Sequence, residues 1–129
     1  MTVDVEDYFH VSAFSESIDR SDWGKHTLRV ERNTHLLLDL FDGHDIKATF
    51  FVLGWVADRV DGLVSESASR GHEVACHGYS HQLVYNQSPD VFREETLRSK
   101  SLLEDIIQSP VRGYRAASYS ITNKSLWAL

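Results

Sequence analysis

With 129 residues, 42% of them apolar and 25% charged, the chain can bury one core and is too balanced in composition to be disordered. Nineteen acidic against 13 basic side chains give a net charge of −6, and no basic patch for nucleic acid or an anionic membrane is visible. The apolar runs are too short to span a bilayer, and the single cysteine, Cys76, excludes an internal disulfide and a cysteine-rich zinc module.

No charged-then-apolar leader precedes Val3, so cytoplasmic residence is the default expectation. Residues 1–5 alternate Val3 and Val5 with Asp4, the period-two pattern of a short strand. An acid there is awkward in a core unless it faces a wet or functional cavity. Glu6 and Asp7 follow, and carboxylates so close together need solvent, a cation or an arginine to relieve their repulsion. A plain exposed acidic loop accounts for the same residues.

Residues 11–31 show little periodicity, with Phe14, Ile18 and Trp23 spaced irregularly, and read as a partly helical excursion able to overhang a site. Residues 30–41 form a predicted helix with an apolar stripe through Val30, Asn33/Thr34, Leu37 and Leu40/Phe41, stopped at Gly43. Residues 47–53 make the strongest strand, hydrophobic enough to be covered on both faces. Two brief helices, 55–60 and 63–70, precede a strand at 73–76 that delivers His77 and His81 into a turn containing Gly78 and Ser80. Cys76 reads as a small buried hydrophobe.

Ser88-Pro89-Asp90 opens a helix running to about residue 108. Residues 111–115 are a further short strand, and residues 122–125 begin a last helix containing Trp127. This is βα repetition, with parallel strands and covering helices. It suits a doubly wound sheet or a (β/α) barrel, although a whole barrel needs more units than 129 residues supply.

In both architectures functional groups gather at the carboxyl ends of the strands. Three ends are polar: Asp4, Glu6 and Asp7 after the first strand, His77 and His81 after the third, Arg115 after the last. One carboxylate with two neutral imidazoles is a standard set for Zn²⁺ or a similar ion, leaving positions for water and substrate. A second carboxylate beside the ion can take a proton from water, and Arg115 is the group to brace it. Such an assembly serves hydrolysis of a carbonyl compound, with backbone N–H groups of residues 116–119 as candidates to hold the oxyanion. A departing amine also needs a proton, and none of the seven histidines is an obvious donor. No nucleotide-binding glycine loop and no serine-hydrolase elbow occurs.

Four segments carry a resemblance: Thr2-Val3-Asp4-Val5-Glu6-Asp7, Ala48-Thr49-Phe50-Phe51-Val52, Gly71 through His81, and Arg112 through Ser118. Together, and in this order, they resemble the polysaccharide deacetylase (NodB-homology, carbohydrate esterase family 4) family. The opening through Tyr8-Phe9-His10 is similar to the branch found with bacterial exopolysaccharide and exosortase gene clusters. The resemblance implies the amino-terminal portion of a distorted (β/α)₇ barrel in an α/β fold, with residues 1–129 as part of one domain. It implies removal of acetyl groups from an N-acetylated polysaccharide with a divalent ion: Zn²⁺ first, Co²⁺ or Ni²⁺ as alternatives. Carried over, Asp4 matches the catalytic base, Arg115 its brace, His77 and His81 the metal histidines, and Ser118 the neighbourhood of an oxyanion-binding N–H.

The metal carboxylate departs from the family's paired aspartates, because Val5 follows Asp4. Strand alternation puts Glu6 on Asp4's face and favours it, and a turn starting at Glu6 keeps Asp7 open. The family's general-acid histidine belongs to a later segment, so two other readings stand beside the enzyme: a catalytically silent carbohydrate-binding or scaffold domain, and a hydrolase of another linear or cyclic amide. An exposed strand edge is expected to invite self-association. Among single residues, Trp55 and Trp127 are expected to pack helices on the sheet, Trp23 reads as core or as a sugar-stacking ring, and His10 as a contact of the site or substrate. His72 is expected to make a structural hydrogen bond, Tyr79 to cover the metal pocket, and His26, His35 and His44 to face solvent.

Overall fold

The computed structural model describes residues 1–129. Three short segments rich in β-branched and aromatic residues pair as a parallel sheet: β1 (Thr2–Val5), β2 (Thr49–Val52) and β3 (Glu73–Cys76), in that spatial order. Helices make the crossovers: α1 (Val30–Gly43) after β1, α2 (Gly54–Ala57) and α3 (Asp61–Ser69) after β2, and α4 (Pro89–Ile107) after β3. Residues 111–115, predicted as a strand, contribute only one bridge: Tyr114 pairs with Cys76, flanked by Cys76 N–H to Gly113 O at 2.8 Å and Arg115 N–H to Cys76 O at 2.9 Å. The backbone passes so near β3 that a Cβ on Gly113 would sit 3.0 Å from Ala75 Cβ.

Register and alternation divide the sheet into two faces. Val3, Phe50 and Val74 pair in one row and Val5, Val52 and Cys76 in another. These residues meet the helices: Phe50 is fully buried, with its ring 6.2 Å from that of Phe41 on α1. The opposite face carries Thr2 and Asp4 from β1 beside Thr49 and Phe51 from β2. It is only half-covered, unlike the two-sided burial expected of this strand. Glu6 continues the polar row just past the end of β1.

The helix expectations need one change of phase. On α1 the buried positions are Val30, Thr34, Leu38 and Phe41, a stripe at four- and three-residue spacing, while Leu40 is 52% exposed. The long run of leucines hides the phase, since Leu36 to Leu38 and Leu40 suit several faces. α4 begins as predicted, with Ser88 Oγ accepting from Val91 N–H and proline in the first turn. At the other end residues 126–128 form a single 3₁₀ turn with Trp127 partly exposed, in place of the predicted helix. No helix is long and apolar enough to cross a membrane.

The excursion between β1 and α1 is a series of 3₁₀ turns (Tyr8–His10, Ser12–Phe14, Arg20–Lys25) with its own aromatic core. His10 meets Trp23 edge-on at 4.4 Å and Trp55 at 4.9 Å, and Trp23 meets Trp55 at 5.6 Å. All three are buried, so Trp23 and Trp55 both anchor this layer to α2. His26 is half-buried, stacked on Phe9 at 5.2 Å.

Candidate metal centre

Both histidines lie on a turn fixed by backbone contacts to α2. His77 continues β3, its N–H bonding to Val52 O at 3.0 Å, and Gly78 then turns the chain at φ +76°. The Gly78 carbonyl accepts from Gly54 N–H at 2.8 Å and from Ser99 Oγ at 3.0 Å, while Trp55 N–H reaches Tyr79 O at 3.0 Å. Contact is so close that a Cβ on Gly54 would lie 2.6 Å from the Tyr79 ring and 2.8 Å from Ser99 Oγ. Ser80 is held from two sides: Glu95 accepts its N–H at 3.1 Å and its hydroxyl at 2.5 Å, and Arg20 Nε donates to its carbonyl at 3.0 Å. His81 then takes a left-handed φ of +51°, uncommon for a residue with a side chain.

This turn brings His77 and His81 to Glu6. One donor atom from each lies within 4.8 Å of the other two, close enough for a single ion with bonds near 2 Å. Both imidazoles are buried, at 2% and 4% exposure. His77 Nδ1 lies 2.8 Å from the carbonyl of Arg115; donating its proton there leaves Nε2 with a free lone pair, the usual arrangement behind a metal-binding imidazole. His81 Nε2 lies 3.0 Å from Glu6 Oε2. Burial holds His77 below its ordinary pKa, outweighing the Arg115 carbonyl and nearby carboxylates. Burial alone would raise Glu6, but the His81 contact and the neighbouring imidazoles prevail and lower it. The set is one carboxylate and two imidazoles, the donor types that bind a divalent cation. His81 Nδ1 is buried without a hydrogen-bond partner.

Asp7 is separated from this group. Its carboxylate caps the turn at residue 8 by accepting Tyr8 N–H at 3.0 Å, and it also accepts Arg29 N–H at 2.5 Å and Val30 N–H at 2.9 Å at the start of α1. With three backbone donors on it and 4% exposure, Asp7 serves the fold, and the alternative of Asp7 beside the two histidines is corrected to Glu6. Asp4 sits on the half-covered face with the guanidinium of Arg115 2.5 Å from its Oδ1. Arg115 also donates to Thr2 Oγ1 at 2.9 Å and lies 4.0 Å over the Phe51 ring. One residue thus braces Asp4 with its side chain and orients His77 with its carbonyl.

Residues 21–129 match the polysaccharide deacetylase family. The chain belongs to this family. A peptidoglycan-N-acetylglucosamine deacetylase of Bacillus cereus is 33% identical over 70 residues, which are 54% of this chain and 26% of that relative. A candidate polysaccharide deacetylase from Mycobacterium smegmatis superposes with a TM-score of 0.79 at 23% identity, covering 99% of this chain and 46% of its own. A CE4 family pseudoenzyme from Bacillus anthracis gives 0.71 at 22% identity, covering 76% and 35%. At such identities the structural likeness shows the fold alone, an α/β arrangement of parallel strands under helices. The chain spans less than half the length of these relatives.

Within this polysaccharide deacetylase domain several positions were not singled out by sequence. Thr2 shares Arg115 with Asp4, and the alternation that groups Asp4 with Glu6 also reaches Thr2. Gly54 and Glu95 support the histidine turn through tertiary contacts with no local signal. Ser118 and Tyr119 both have positive φ (48° and 54°), and Ser118 Oγ lies 2.9 Å from Ser12 Oγ. Tyr79 is turned from the expected cover over the metal pocket towards α2 and α4, its hydroxyl on Asp58 and the Arg98 guanidinium 3.5 Å above its ring. His72 accepts Ala48 N–H at 3.3 Å, a structural role, and burial raises the Cys76 thiol, keeping it inert.

Proposed function

We propose that the chain is the metal-binding part of a hydrolase that removes acetyl groups from N-acetylated sugars of a polysaccharide. The observation that carries this reading is the convergence of Glu6, His77 and His81 within 4.8 Å beside the Asp4–Arg115 pair. Glu6, His77 and His81 would hold a divalent cation, Zn²⁺ by donor chemistry, with Co²⁺ or Ni²⁺ as substitutes. Bound there, such an ion supplies Lewis acidity towards an amide carbonyl and acidifies water.

The chain's own groups do the rest. Asp4 accepts a proton from the attacking water as its oxygen bonds to the acetyl carbon, and Arg115 with Thr2 keeps that carboxylate aimed. The Arg115 carbonyl keeps His77 in the tautomer that presents Nε2. The C–N bond then breaks as the nitrogen takes up the proton that Asp4 accepted, giving acetate and a free amine on the sugar.

Acetate release from an N-acetylglucosamine oligomer, measured with and without added Zn²⁺ or Co²⁺, tests the proposal. Metal-dependent release that is lost in Asp4→Asn is expected. Tight zinc binding with no acetate would overturn hydrolysis and leave a silent carbohydrate-binding domain.

A further inference from the structure

On the helix side of the sheet a cavity of about 450 Å³ lies between the carboxyl ends of α3 and α4, at the opposite end of β3 from His77. That volume is within the roughly 300–1,000 Å³ of small-molecule pockets. Val74, Ile106 and Ile107 give the lining an apolar half. The other half is made of donors. Arg112 lines the cavity and makes no hydrogen bond or ion pair within the chain. Alternation sends it there: Gly113 approaches Ala75 and Phe51, and Arg115 meets Asp4 on the half-covered face, while Tyr114 turns to Phe92 on α4 and Arg112 shares its side. His72, only 6% exposed, is also part of the lining. Its Nδ1 accepts Ala48 N–H, and burial, followed by Lys47, holds it below its ordinary pKa. The one proton of the neutral ring therefore sits on Nε2, a buried N–H with no partner, which a bound acceptor would satisfy. Glu73 turns its carboxylate away to the other face of the sheet, where Thr49 donates to it at 2.6 Å.

We infer that this cavity is a binding site for a small organic monocarboxylate, with its charge on Arg112 and its carbon body against Val74, Ile106 and Ile107. A guanidinium free of other partners presents a planar fork that matches a carboxylate, and the His72 N–H adds a donor from a second element. With Glu73 turned away, the lining offers no carboxylate to a cationic ligand. A dianion such as phosphate fits poorly. Only one cationic side chain lines the cavity, and α3 and α4 both end beside it, at Ser69 and Ile107, with the negative ends of their dipoles. None of these groups belongs to the metal centre, so the site stands or falls apart from the hydrolase reading.

Benzoate is the probe, titrated into the zinc-free chain so that no metal ion can take its carboxylate, and followed by ¹H–¹⁵N correlation spectra. Benzamide, a neutral molecule of the same shape, and inorganic phosphate are titrated in parallel. Saturable binding with a Kd on the order of 1 mM is expected for so small a ligand, with shifts confined to residues 65–74 and 106–112. Benzamide and phosphate should bind at least about tenfold more weakly. Arg112 is exposed and unpaired, so Arg112→Gln keeps the fold, which its own spectrum checks, and it should weaken benzoate by about tenfold or more. Benzoate binding that is matched by benzamide or phosphate, that survives Arg112→Gln, or that maps to residues around Asp4 and Arg115 would overturn the site, as would no binding at all.

Discussion

The guanidinium of Arg115 lies 2.5 Å from the carboxylate of Asp4, although 111 residues of chain separate them. Lysine at this position could not fork between Asp4 and Thr2, but its backbone carbonyl would still hold His77. Arg115→Lys is therefore expected to lower kcat for acetate release by about 10- to 100-fold, the scale of a misaimed catalytic group. Zinc affinity should stay within about threefold. Steady-state kinetics with a parallel zinc titration checks this. Because both side chains are about a third exposed, stability should change by less than about 1 kcal/mol.

Metal uptake distinguishes ligands from neighbours. Outer partners of a metal site alone are worth about 10- to 100-fold in affinity, so Glu6→Gln, His77→Ala and His81→Ala should each weaken zinc by more than about 100-fold. Asp7→Asn and His35→Ala should leave it unchanged, since Asp7 faces backbone donors and His35 on α1 faces Glu66 of α3. Competition with a zinc-sensitive dye reads all five.

The role of Asp7 appears in stability. Removing its carboxylate strands the N–H groups of Tyr8, Arg29 and Val30, two of them at the start of α1. Asp7→Ala is expected to cost about 2–4 kcal/mol in urea unfolding. A loss no larger than that of an ordinary surface change would contradict the capping role.

Acid should weaken the fold through His10. Burial drives its pKa from 6.5 down to about 4, ahead of the opposing pull of Glu6 and Asp7. Between those values the unfolded chain holds a proton that the folded chain lacks, so stability is complete above about pH 6.5 and falls as the pH drops towards 4. The loss approaches about 3 kcal/mol. His10→Gln should flatten the unfolding free energy measured across this window by about that amount.

Gly54 couples the core to the site. In Gly54→Ala the new methyl meets the Tyr79 ring and Ser99, so a cost of about 1–3 kcal/mol is expected, with weaker zinc binding as the histidine turn shifts. Melting temperature and zinc affinity should fall together.

Local pattern made much of this legible. Alternation in residues 1–5 located β1 and placed Glu6 on the face of Asp4; the Ser88-Pro89 start located α4 to the residue. What stayed hidden depends on distant partners. Alternation favours Glu6 over Asp7 without excluding the latter, and the arrival of the Arg29 and Val30 N–H groups on Asp7 is what sets the two apart. Trp23 reads equally as core or as a sugar-stacking ring, and His10 as a contact of the site, until Trp55 packs on both. The segment at 111–115 has strand-like residues, yet it meets β3 at one pair only.

The positive φ at His81 bears on how such domains lose their chemistry. A backbone of that shape accepts glycine or asparagine at least as readily as histidine. On the proposed assignment, substitution there would remove one of three metal-binding side chains while sparing the architecture, so an inactive descendant would lie one mutational step away and need not pass through a misfolded ancestor.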